Sequence, residues 1–222
     1  MSIRAILFDW DGTLTHGTNE LWLSANNQII QSHGSEAMSM EVFARLGFGT
    51  DIAKMLAYLD IDPGKAKHID ITRNEIYNVM LRTQSAWIPG GKELLQTVRA
   101  TGRKIGMITH ARSRNLAVQE ERLQWQQYFD VVVSKDDMEK EGRNLYKPHP
   151  FSVRHAAEKL QIPIKECCYV GDLETDMLTA KNAGIDSILL QGDLSTPEAI
   201  VAATYVYSSA EECRRKMSEW LR

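Results

Sequence analysis

The stretch Ala5-Ile6-Leu7-Phe8-Asp9-Trp10-Asp11-Gly12-Thr13-Leu14 decides how the rest of the chain reads. Four apolar residues in a row suit a short strand buried on both faces, as strands of parallel sheets are. This strand ends in two acids, and open parallel sheets bind their ligands at the carboxyl ends of the strands. Residues two apart in extended chain point the same way, so Asp9 and Asp11 face one ligand if the extension continues past Phe8. The same letters also fit an Asp-Gly turn that closes the strand, with Gly12 supplying the special backbone conformation.

Further short apolar runs follow: Ile105-Gly106-Met107-Ile108, Val131-Val132-Val133, Tyr169-Val170 and Ile188-Leu189-Leu190. Amphipathic patterns lie between them at Lys92 to Ala100, Ser113 to Trp125, Phe151 to Leu160 and Thr175 to Ala183. Strand alternating with helix predicts an α/β fold, a doubly wound and mostly parallel sheet with a Rossmann-like core. The interval from Gly17 to Trp87 breaks this rhythm, offering helical patterns (Leu21 to Ser32, Met40 to Leu46, Ile52 to Leu59, Lys65 to Arg82) and no buried strand. The expected organisation is a catalytic core from residues 1–15 and 87–222, with a helical cap at 16–86. Turn residues at Thr15 to Thr18 and Ile88 to Gly91 mark a two-strand hinge between them.

The 222 residues, 43% hydrophobic and 25% charged, suit a packed globular chain. A net charge of -3 argues against a broad nucleic-acid-binding face, so any anion site is local. No apolar run approaches the roughly 18 residues of a membrane span, and the apolar start is not a secretory leader. The expectation is a full-length cytoplasmic protein with no membrane partner. Cys167, Cys168 and Cys213 have no metal-type spacing and read as reduced, structural cysteines.

The fourth apolar run ends in Gly171-Asp172-Leu173-Glu174-Thr175-Asp176, a second group of acids at a strand end. Hard oxygen ligands from two neighbouring strand ends suit Mg2+, which takes a few carboxylates and completes its shell with water and phosphate. Asp172 and Asp176 would equally serve as helix caps. Thr109-His110 closes the second strand and Lys147-Pro148 opens the segment before a helix. A hydroxyl at a strand end can hold phosphate oxygens, and an ammonium offsets the charge gathered by acids and a phosphoryl group.

These elements, in this order, resemble the haloacid dehalogenase superfamily of phosphohydrolases, in a phosphoglycolate phosphatase-like arrangement with a helical cap between the first and second motifs. Asp9-Trp10-Asp11-Gly12-Thr13-Leu14 looks like the first motif, Thr109 the second, Lys147 the third, and Gly171-Asp172 with Asp176 the fourth. The resemblance implies Asp9 as nucleophile and Asp11 as general acid and base. It implies Mg2+ held by Asp9, the backbone carbonyl of Asp11, and Asp172, with Asp176 acting through water or as an orienter. It also implies Thr109 and Lys147 on the phosphoryl oxygens of a small phosphorylated metabolite. Three positions depart from the usual pattern: Trp10, His16 and His110. His110 reads as a pocket-lining residue on the substrate side.

The turn Leu46-Gly47-Phe48-Gly49-Thr50 sits between helices and lacks the third glycine of a dinucleotide fingerprint. By position it resembles the substrate-facing turn of a helical cap, which makes Arg45, Phe48 and Thr50 candidate leaving-group contacts. Asp11 argues against a dehalogenase, which needs no acid for a leaving oxygen. A sugar-phosphate mutase, a phosphonate hydrolase using a cap lysine, and a non-catalytic binding module share the core and stay open at this stage.

Overall fold

The computed structural model describes residues 3–46, 51–142 and 145–220. The chain divides into two compact units, Met1–His16 with Ala86–Arg222, and Gly17–Ser85. No helix among the described residues is long and apolar enough to cross a membrane.

Strand β1 (Ala5–Phe8) leads into a tight curl in which the Trp10 carbonyl accepts from the backbone N–H of Leu14 and of Thr15, each at 3.0 Å. The chain leaves the curl through β2 (Thr15–His16), which pairs antiparallel with the returning β3 (Ala86–Trp87), Thr15 opposite Trp87. β2 falls on the first two residues of the entry turn signal, and β3 directly precedes the exit turn at Ile88.

Among the described residues the unit Gly17–Ser85 carries four α-helices: α1 (Thr18–Ser32), α2 (Met40–Arg45), α3 (Ile52–Tyr58) and α4 (Ala66–Gln84). Ser39 and Asp51 start two of them, each side chain accepting a hydrogen bond from a first-turn N–H, Val42 and Lys54. Ile30, Phe43, Met55, Leu56 and Ile69 form their own core. Buried Arg73 is satisfied by Asp70 at 2.7 Å and Asn26 at 3.0 Å, and its guanidinium lies 4.6 Å from the centre of the Trp22 ring.

The other unit is a six-stranded sheet in the order β5-β4-β1-β6-β7-β8, formed by β4 (Lys104–Ile108), β5 (Val131–Val133), β6 (Cys167–Gly171), β7 (Asp186–Leu190) and β8 (Tyr205–Tyr207) around β1. Every pairing in it is parallel. Helices α5 (Gly91–Ala100), α6 (Ser113–Leu123) and α11 (Ala210–Trp220) supply one buried layer, and α7 (Lys135–Glu141), α8 (Phe151–Leu160) and α9 (Glu174–Ala183) the other. A short α10 (Pro197–Ala202) precedes β8. Alternation in β1 feeds both layers: Ile6, Phe8 and Trp10 join one core, Ala5 and Leu7 the other. The chain steps from β1 outward to β4, and from β6 outward to β7 on the opposite side. The crevice between β1 and β6 is therefore the topological switch point.

Four elements differ from the sequence reading. Helix α6 stops at Leu123 because Gln124 takes the left-handed conformation, φ 48°, so Trp125 packs from outside the helix. The polar run Glu211 to Lys216 lies within α11, whose Cys213 and Met217 are buried in the core. Helix α7 and strand β8, both short, have no counterpart in the apolar pattern.

Leu7 is fully buried at the centre of the sheet. Leu7→Ala should lower the free energy of unfolding by about 2–5 kcal/mol, the usual cost of a core leucine. Urea denaturation measures it, and a loss under 1 kcal/mol would show that β1 is not held on both faces.

Candidate active site

The strand alternation extends one step beyond β1. Trp10 is fully buried in the same core as Ile6 and Phe8, so Asp9 falls on the opposite side, at the carboxyl end of the central strand. The neighbouring β6 ends in Gly171, and Asp172 follows it. Asp176 sits in the first turn of α9, where its Oδ2 accepts the Leu173 N–H at 3.1 Å. Ligand oxygens of Asp9, Asp172 and Asp176 all lie within 4.8 Å of one another, and all three residues are buried.

Two glycines permit this crowding. A side-chain carbon on Gly12, at φ 91°, would lie 2.4 Å from Asp172 Oδ2. One on Gly171 would lie 2.4 Å from Asp176 Cβ. Neither position has room for a methyl group.

Between the acids sit two donors. The Thr13 hydroxyl lies 2.7 Å from Asp172 Oδ1 and 3.1 Å from Asp9 Oδ2, so its single hydrogen is shared between them. The Lys147 ammonium bonds Asp9 Oδ1 and, at 2.8 Å, Asp176 Oδ1. Tyr169 OH also donates to Asp176 Oδ1 at 3.0 Å. Asp176 thus accepts three hydrogen bonds on its two oxygens, which suits a residue that orients its neighbours.

The charge balance is unequal, one ammonium against three carboxylates. Burial opposes the charge on Lys147, but Asp176 and Asp9 outweigh it and hold the ammonium well above its ordinary value. Burial pushes Asp9 up to about 7; Lys147 opposes this, and Asp176 and Asp11 add to it. Burial, with Asp9 and Asp176 next, also pushes Asp172 well above the carboxylate range. A buried cluster with excess negative charge and only oxygen donors fits a hard divalent cation, which would neutralise it.

Asp11 lies outside this trio. Its Oδ2 is 3.5 Å from the Thr109 hydroxyl, whose oxygen accepts the Ala111 N–H at 2.9 Å. The extension that sets Asp9 gives way to the curl at Trp10, and Asp11 stays close enough for its charge to help push Asp9 up. His110 accepts the Lys147 backbone N–H on Nε2 at 3.2 Å, and its ring meets Tyr146 edge-on at 5.4 Å. Arg45 is exposed, and its guanidinium donates to Tyr58 OH at 3.3 Å. Phe48 and Thr50 lie outside the described residues.

Sequence reasoning passed over Thr13, Tyr169 and Ser195. Thr13 stood inside the quoted motif and carried a usable signal, a hydroxyl four residues after the first acid. Tyr169 was read only as strand. Ser195, whose hydroxyl donates to the Asp172 carbonyl at 2.8 Å, comes from a loop after β7 that has no local signal.

Residues 6–190 match the family model described as haloacid dehalogenase-like hydrolase. The chain belongs to that family. Over 188 residues this hydrolase is 28% identical to the phosphoglycolate phosphatase of Xanthomonas campestris pv. campestris (strain 8004), covering 83% of this chain and 81% of that protein. It is 31% identical over 194 residues to PpaX of Caldanaerobacter subterraneus subsp. tengcongensis, covering 86% and 83%. Among solved structures it superposes on CbbY from Rhodobacter sphaeroides in complex with phosphate, with a TM-score of 0.80 at 24% identity over 95% of this chain and 96% of that one. Its class is phosphohydrolase.

A proton and a divalent cation would compete for the acid cluster. With Asp9 raised from 3.8 to about 7, the metal-free folded state holds a proton that the unfolded chain has released, across that window. The metal-free protein should therefore gain stability from this group as pH falls from 7 towards 4, and lose that contribution as pH rises through 7. The increase in Tm on adding MgCl2 should do the reverse, largest above pH 7 and shrinking below it. Melting curves with and without MgCl2 from pH 5.5 to 8.5 measure this, and a cation effect independent of pH contradicts the assignment of the cluster.

Proposed function

We propose that the hydrolase is a Mg2+-dependent phosphomonoesterase that passes the phosphoryl group of a small metabolite through a covalent intermediate on Asp9. The observation that carries this reading is the convergence of Asp9, Asp172, Asp176 and the Lys147 ammonium at the switch point of the sheet. Asp9, the Asp11 carbonyl and Asp172 would hold the cation, with Asp176 orienting Lys147 and Asp172's neighbours. Bound there, Mg2+ supplies charge neutralisation to the phosphoryl oxygens.

In the first half-reaction an Asp9 oxygen attacks phosphorus, and the bond from phosphorus to the ester oxygen breaks as the aspartyl phosphate forms. Asp11 gives its proton to the departing oxygen. In the second, water attacks the same phosphorus while Asp11 takes the water proton, releasing phosphate and restoring Asp9. Lys147 and Thr109 hold phosphoryl oxygens during both steps. The Thr109 hydroxyl, 3.5 Å from Asp11 Oδ2, gives Asp11 a partner of its own and supports its distinct role.

A phosphorylated small acid is the first substrate to test, because the Xanthomonas relative carries the name phosphoglycolate phosphatase. The buried free cysteines suit a reducing, cytoplasmic setting. The direct test is Mg2+-dependent release of phosphate from an aryl phosphate, followed by a panel of phosphorylated metabolites that includes phosphoglycolate.

Asp9→Asn should remove turnover to background, since an amide cannot form the acyl phosphate. Near-wild-type hydrolysis by a clean preparation would sink the covalent mechanism. Asp11→Asn should cost roughly 10²–10⁴-fold on alkyl phosphates and less on aryl phosphates, whose leaving groups need little protonation. Steady-state kinetics on both ester types decide, and equal losses would count against proton transfer by Asp11.

A further inference from the structure

We infer that His110 is a positioning residue: its ring nitrogen holds the backbone of Lys147 and thereby aims the ammonium shared by Asp9 and Asp176. The inference deepens the proposed mechanism and rests on that reading only for its kinetic test. The Lys147 backbone N–H donates to His110 Nε2 at 3.2 Å. A backbone N–H is only a donor, so Nε2 must carry a lone pair and the ring hydrogen must sit on Nδ1.

The surroundings favour that neutral form. Burial first, then the positive charges of Lys147 and Lys135, hold the imidazole well below its ordinary value. The ring is set edge-on to Tyr146 at 5.4 Å, and the Lys135 ammonium lies 5.4 Å from the centre of that same Tyr146 ring. A protonated His110 would turn a second donor towards the Lys147 N–H and break the contact.

Lys147 needs such a tether. It lies in a turn, in neither helix nor strand, so no ladder of backbone bonds fixes it. Its side chain nonetheless enters the site with only 5% exposure and bonds two acids. His110 directly follows Thr109 at the end of β4. One side chain thus ties the Thr109 strand end to the Lys147 turn, the two places from which phosphoryl oxygens would be held. This makes His110 a part of the phosphate site that acts through Lys147 and does not itself bind substrate.

The test uses the full chain and two variants. His110→Phe keeps a ring against Tyr146 and removes the acceptor; His110→Gln restores an acceptor oxygen without the ring. His110→Phe should weaken inhibition by inorganic phosphate and lower kcat/KM by about 10- to 100-fold, the range expected when a buried N–H loses its partner. His110→Gln should recover both to within several-fold of wild type. Phosphate affinity and kcat/KM unchanged in His110→Phe, or a His110→Gln as poor as His110→Phe, would overturn the inference in favour of ring packing.

Nitrogen NMR of the wild-type histidines supplies an arm that needs no activity and no folded variant. It should find His110 with hydrogen on Nδ1 and a lone pair on Nε2 through neutral pH; the opposite tautomer or an imidazolium would overturn the inference. If the wild type releases phosphate from no ester, the reaction reading fails while the NMR result still decides the role of His110.

Discussion

One buried ammonium shared among three buried carboxylates is the constraint from which the rest of the site follows. Lys147 satisfies Asp9 and Asp176 directly, and Asp172 is left with the hydroxyl of Thr13. Buried charge is tolerated only when it is paired and hydrogen-bonded, and this cluster is under-neutralised by its own residues. The imbalance raises Asp9 and Asp172 together while Lys147 stays charged. Crowded like charges are a stability cost, and on the proposed reading a cation and a phosphoryl ligand would turn it into binding energy.

The sheet supplies what this cost requires. β1 is buried on both faces, and Trp10 continues its packing past the last ladder residue, with the indole N–H donating to Gln119 at 2.8 Å and the ring edge-on to Trp87 at 5.2 Å. The bulky residue between the two acids therefore anchors the loop in the core. Asp9 is held by the strand before it and the tryptophan after it. Gly171 at the end of the neighbouring β6 and Gly12 in the curl after β1 leave out the methyl groups that would keep Asp172 and Asp176 from closing in. Rigid elements on both sides of the switch point leave little for loops to decide.

The parts legible in the sequence were those with a one-dimensional signal. Apolar runs of two to four residues announced the buried strands around Asp9, Thr109 and Gly171, and the α/β class followed from their alternation with helices. β8 was not legible, because its residues Tyr205 to Tyr207 are partly exposed at a sheet edge and lack a run. α11 was hidden by its charged face, which outweighs the buried stripe of Ala210, Cys213 and Met217. The bond from Tyr169 to Asp176 and the bond from Lys147 to His110 join residues through space, and no spacing in the chain encodes them.

Asp9 and Asp11 stand on either side of Trp10, where a tight curl begins. The Trp10 carbonyl collects hydrogen bonds from Leu14, Thr15 and the Thr15 hydroxyl, and so curls the chain immediately after the first acid. Asp9 remains with Lys147 and the trio, whereas Asp11 turns to Thr109. Two carboxylates two residues apart thereby have different hydrogen-bond partners. The proposed mechanism asks for this difference: a nucleophile would be held against a cation and an ammonium, while a proton carrier would have a partner of its own. A site built only to bind phosphate would need the ammonium and the cation and would have no use for the second acid. On the proposed reading, the second acid beside Thr109 is thus the feature that most favours catalysis over binding.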